Sequence, residues 1–137
     1  MVSKRLSVAV LAMLISVPAI SQETRVELPF ERVEVDAPST IEIWKGFGGD
    51  YIDQKDPNLN IFTAALTTPE GDEIFVSQLN APFVCGDIEC PIRIVRAGKL
   101  VYDDGACRYT EQFFVNPSMR TLFACSDAIP TIEVPQE

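Results

Sequence analysis

The sequence predicts an α+β fold, a small antiparallel β-meander with one short N-terminal helix, stapled by two disulfides. Three observations carry this: apolar runs paired across turn residues, a single segment with helical spacing, and four cysteines in a chain without histidine.

The elements follow in chain order. An apolar run over residues 6–20, broken only by Ser7, Ser16 and Pro18, stands behind Lys4 and Arg5, and Ala19 and Ser21 are the small residues of a cleavage site. That is an export layout, so residues 1–21 read as a signal peptide and 22–137 as a single periplasmic or secreted domain. The run is shorter than the roughly 20 residues a membrane span needs, and no membrane insertion is expected after cleavage. Residues 25–35 alternate charged and apolar side chains around Pro29, which suggests an edge strand. Ser39 and Glu42 match a capping box, and Ile43, Phe47 and Tyr51 fall four apart, predicting a helix over about residues 40–47 that Gly48 and Gly49 stop. The alternative is a strand through Ile41, Ile43 and Lys45, given their β-branched content.

Residues 50–60 form a polar connection. Three hairpins are then expected: 61–66 with 73–79 about Pro69, Glu70, Gly71 and Asp72; 91–95 with 99–102 about Ala97 and Gly98; and 108–115 with 119–125 about Asn116, Pro117 and Ser118. A Pro-rich acidic tail begins at Pro130.

Charge narrows the partners. The chain has 11 Lys and Arg against 20 Asp and Glu, a formal charge of −9, and loss of Lys4 and Arg5 with the signal takes it to −11. Such a surface repels phosphate backbones and anionic headgroups, which argues against nucleic acid, and steers a basic protein toward the domain. Cys85, Cys90, Cys107 and Cys125 are an even set in an oxidising compartment. Of the three connectivities four cysteines allow, Cys85–Cys90 with Cys107–Cys125 closes two local loops between strand-like segments.

The lack of histidine removes the usual general base at neutral pH and the commonest metal ligand. With the cysteines paired, no thiol nucleophile is left. Four residues separate Cys85 from Cys90, where redox motifs have two, and the gap between Cys107 and Cys125 does not suit a four-cysteine zinc site. Asp56, Asn58 and Asn60 repeat the opening of a calcium loop, yet Ile61 occupies the position of the turning glycine and Thr67 that of the bidentate glutamate. No catalytic residue, metal or cofactor is therefore expected. A carboxylate pair of the glycosidase kind depends on separation in space and stays open. Asp87 and Glu89, inside the Cys85–Cys90 loop, are the carboxylates a disulfide would hold rigidly; Trp44 would serve as their aromatic anchor if exposed, its other place being the core.

Over residues 60–95, an Ile-Phe-Thr-Ala-Ala strand, a Gly-Asp-Glu turn and Cys-Gly-x-x-x-Cys-Pro resemble a loose group of small exported bacterial proteins, many with Asn-Gly-Asp-Gly where this chain has Pro69 to Asp72. The resemblance implies a structural disulfide hairpin and transfers no activity. Asp104, Gly105, Ala106, Cys107, Arg108 and Tyr109 are similar, with the spacing off by one residue, to the Ser-Gly-x-x-Tyr segment that periplasmic inhibitors of C-type lysozyme insert into the enzyme. Their early Tyr-x-Cys has no clear counterpart beside Phe83, Val84 and Cys85. This similarity implies an inhibitor and adds Tyr109 to the partner-binding candidates.

The sequence thus points to a non-enzymatic periplasmic binding or inhibitory domain whose acidic surface recognises a basic protein through Asp87, Glu89, Trp44 and Tyr109. The alternatives are an envelope assembly factor or accessory subunit docking by the edge strand of residues 26–35, and a small carboxylate-dependent hydrolase.

Overall fold

Strand β4 (Glu73–Asn80) carries apolar side chains on both of its faces, Ile74 and Val76 on one and Phe75 and Leu79 on the other. Successive strand residues point to opposite sides, so a sheet built on β4 must be covered twice. A computed structural model, which describes residues 25–47, 57–108 and 110–132, has this layered arrangement. The predicted signal peptide lies outside the described residues, as does most of the 50–60 connection.

Strands β2 (Glu31–Val33), β3 (Asn60–Thr67), β4, β5 (Glu89–Arg96) and β6 (Lys99–Cys107) pair antiparallel in that order in the larger sheet. The smaller sheet has the order β1 (Val26–Glu27), β7 (Phe113–Val115), β8 (Thr121–Ala124) and β9 (Asp127–Pro130). Between the sheets, Ala64, Ile74, Val76, Ile92 and Ile94 of the larger meet Phe113, Val115, Leu122, Ala124 and Ile129 of the smaller in one core. Each fully buried aliphatic chain there stabilises the fold by about 1.5–3 kcal/mol. The disulfide Cys107–Cys125 joins the end of β6 to the turn after β8, and so ties one sheet to the other.

On the outer face of the larger sheet lies α1 (Pro38–Ile43), with a second core of Ile43, Trp44, Leu59, Ile61, Leu79 and Ala81 beneath it. Side chains from the sheet hold it down. Trp44 Nε1 donates to Ser77 Oγ at 2.8 Å, and Ser77 Oγ is hydrogen-bonded in turn to Thr63 Oγ1 at 2.9 Å. Arg93 Nη1 donates to the carbonyls of Ile43 (3.1 Å) and Lys45 (2.9 Å), at the end of the helix where backbone acceptors lack intrahelical partners. Its Nη2 donates to Asp103 Oδ2 at 3.1 Å.

The fold is mostly β, antiparallel, with only a minor helix, and both expected disulfides, Cys85–Cys90 and Cys107–Cys125, are present. Several expectations need correction. The single meander is instead split, because β1 pairs with β7 and draws the C-terminal strands into their own sheet. Pro29 marks where the chain leaves one sheet at Glu27 and joins the other at Glu31, with Leu28 buried in the core between them. The helix is an α-helix of residues 38–43, not 40–47; Pro38 occupies its first turn, Ala37 is the N-cap, and no side chain caps it, so Ser39 and Glu42 form no capping box. A 3₁₀ turn at Thr110–Gln112 replaces the first half of the third hairpin's leading strand. Residues 127–130, ahead of the expected tail and at its first residue, form β9, and Thr131 after it is fully buried, its N–H bonded to the Arg120 carbonyl at 3.0 Å.

The β5–β6 turn has φ of 50° at Ala97 and 77° at Gly98, the left-handed geometry of a two-residue hairpin that favours Asn-Gly. Ala97→Asn is therefore expected to raise the unfolding free energy by about 0.5–1 kcal/mol, measured by urea denaturation. The alanine side chain is exposed, so packing does not obscure the comparison.

Candidate functional site

The Cys85–Cys90 segment is a short projection clamped from several directions. The disulfide closes it, Gly86 N donates to the Glu89 carbonyl at 2.8 Å, and Arg108 Nη2 donates to the Gly86 carbonyl at 2.6 Å. At its base, the N–H groups of Val84 and Cys85 both reach the Ala81 carbonyl, at 3.2 and 3.0 Å. On this held loop Ile88 is 74 % exposed, flanked by exposed Asp87 and Glu89.

Beside the projection a cleft of about 560 Å³ opens between the turn after α1 and the β5–β6 pair. Gly46 and Phe47 form one wall; Glu89, Asp103, Asp104 and Gly105 form the other. The Glu89 side chain lies over Gly105 of β6, where a Cβ would sit 2.8 Å from Glu89 Oε2, the flexible end of that side chain. Asp104 Oδ1 accepts the Gly105 N–H at 2.7 Å, fixing that carboxylate at the rim. Arg93 lines the cleft and neutralises Asp103, but Asp87, Glu89 and Asp104 have no ion-pair partner among the described residues. Burial chiefly, and then the charges of Asp104, Glu89 and Asp127, push the Tyr102 phenol above the ordinary tyrosine range. Its hydroxyl donates to the Gly105 carbonyl at 3.1 Å.

Of the residues the sequence singled out, Asp87 and Glu89 lie on the clamped projection, and Glu89 also lines the cleft. Trp44 does not join them: it is 2 % exposed, in the core beneath α1, and is corrected from anchor to structural residue. Tyr109 lies outside the described residues. Ile88, Asp103 and Asp104 were missed. An isoleucine between two carboxylates among the four residues that a disulfide encloses was the available signal for the first; the adjacency of two aspartates to Gly105 in a strand was the signal for the others.

Among the described residues no group of three or more Cys, Asp or Glu side chains is placed to hold a metal ion. Asn60, a candidate calcium ligand, opens β3 in register with Asn80. No helix among them is long and apolar enough to cross a membrane. The architecture defines a small two-disulfide β-sandwich with an acidic cleft at one end. Comparison with protein-family models, curated proteins and solved structures finds no match for the chain.

The Tyr102 shift has a consequence for stability. A phenol whose pKa is raised on folding contributes stability that is fully present below the unfolded value of 10.0 and lost as pH rises through the folded value. The protein should thus lose stability above about pH 10, and Tyr102→Phe should flatten that loss, read from urea midpoints across the alkaline range.

Proposed function

We propose that the protein is a non-enzymatic binding or inhibitory domain that recognises a basic protein partner through the acidic cleft and the projection beside it. The observation that carries this reading is Ile88, 74 % exposed on a loop that a disulfide and an arginine already immobilise. Burying an aliphatic side chain that is already held in place incurs little further ordering entropy, which is the property of an effective interface anchor. Asp87, Glu89 and Asp104 around it supply the field that steers a cationic surface and sets its register.

Two disulfides are compatible with a periplasmic or extracellular setting. There the similarity to inhibitors of C-type lysozyme narrows the partner to a basic hydrolase. Ile88 takes the anchoring role first assigned to Trp44, and the cleft takes a lysine or arginine side chain of the partner.

The test uses a C-type lysozyme, a histone and cytochrome c as basic probes and an acidic albumin as control, by surface plasmon resonance. At least one basic probe should bind, more weakly as ionic strength rises. Ile88→Asp should weaken binding about tenfold or more at unchanged stability, and the double variant Asp87→Asn, Glu89→Gln should reduce the salt dependence. Absence of binding by all three basic probes at low salt, or an Ile88→Asp variant that binds unchanged, defeats the reading.

A further inference from the structure

Among the described residues strand β6 lies at the edge of the larger sheet, paired with β5 alone, and it connects two cavities. Near its start, Leu100 walls a groove of about 480 Å³ whose apolar floor is Ile43, Phe75 and Val95, with Glu42 and Glu73 on its margin. Further along, Asp103, Asp104 and Gly105 wall the acidic cleft. Leu100 is 46 % exposed.

An edge strand presents every second pair of main-chain groups outward. At Gly105 these are taken by side chains of β6 itself, the N–H by Asp104 and the carbonyl by Tyr102. The alternation of an antiparallel ladder then turns the N–H and carbonyl of Asp103 outward as well. The ladder also slips once: Val95 pairs with Leu100, Ile94 with Tyr102 and Arg93 with Asp103, leaving Val101 as the extra residue. Leu100 and Asp103 thus share the helix-side face opposite residues that are only two apart on β5. A strand added to the outer edge in matching register sets two side chains, two positions apart, over the groove and against the cleft.

We infer that β6 is a strand-addition edge for an extended segment of a basic protein, with an apolar side chain for the Leu100 groove and, two residues along, a lysine or arginine for the cleft that Glu89 and Asp104 border. The inference rests on the proposed recognition of a basic partner and assigns its mode. Charge complementarity selects this occupant. In the cleft Glu89 and Asp104 have no ion-pair partner among the described residues, whereas along the groove Glu42 and Glu73 stand beside Lys45 and Arg93, so the excess negative charge lies at the cleft. A second copy would set one chain of formal charge −9 against another.

Bulges and inward charges also serve to keep sheet edges apart, so the test must separate recruitment from protection. Fluorescent nine-residue peptides on a threonine background, with Leu and Arg two positions apart, are titrated by anisotropy into the oxidised protein purified from its own cells. Binding is expected, and it should weaken about tenfold or more when Leu and Arg are adjacent, when alternate peptide amides are N-methylated, or in Leu100→Arg. Equal binding of the N-methylated peptides overturns strand addition while leaving cleft recognition of cations intact. No binding of any peptide at low salt overturns both. Self-association abolished by Leu100→Arg, seen by sedimentation, reassigns the edge to a second copy and overturns the partner stated here.

Discussion

Arg93 holds the outer layer of this protein in place. A helix of six residues has too few internal hydrogen bonds to persist alone, and its last carbonyls need donors from elsewhere. Arg93, rooted in the middle of β5, supplies two of them and spends its other terminal nitrogen on Asp103 of the adjacent strand. Its guanidinium also lies 5.3 Å from the ring centre of Trp44 and 5.5 Å from that of Phe47, within reach of a cation–π attraction. A buried cation without such partners would be costly; with them it becomes the tie that fixes where α1 sits. Because Arg93 lines both the acidic cleft and the apolar groove, the placement of α1 decides the shape of both.

The rest of the architecture supports that layer from beneath. Disulfide Cys107–Cys125 draws the two sheets together at one end, contributing about 3 kcal/mol in the chain-entropy account. Disulfide Cys85–Cys90 acts more locally, holding Glu89 at the start of β5 and the projecting Ile88 just before it. The acidic end of the molecule is therefore assembled from rigid pieces: a strand start, a clamped loop, and the stretch of β6 at Gly105 over which the Glu89 side chain lies. Such preorganisation is what a recognition surface requires if binding is not to be spent on ordering the loop itself.

The hairpins were legible in the sequence because their determinants are local. Gly71 and the Ala97-Gly98 pair adopt the positive φ that their turns demand, and the apolar runs on either side find their register from those turns. The division into two sheets was not legible, since it depends on Val26 pairing with Val115 at the far end of the chain. Pro29 was visible as an interruption, but nothing nearby says that the chain changes sheets there. Strand β9 was hidden by its composition: Asp127 and Pro130 read as turn residues, and Ile129 alone faces the core. Trp44 could not be assigned from sequence either. Its side chain is buried because α1 docks on Ser77 and Arg93, contacts more than thirty residues away in the chain.

Arg93 holds α1 independently of the sandwich core. Amide hydrogen exchange of Arg93→Met against the unaltered protein measures this residue by residue. Protection at Ile41 and Trp44, whose N–H groups bond to the carbonyls of Ala37 and Thr40, should fall sharply, while the amides of the β3–β4 hairpin keep theirs. Unchanged protection in α1, or an equal loss across β3 and β4, would contradict it.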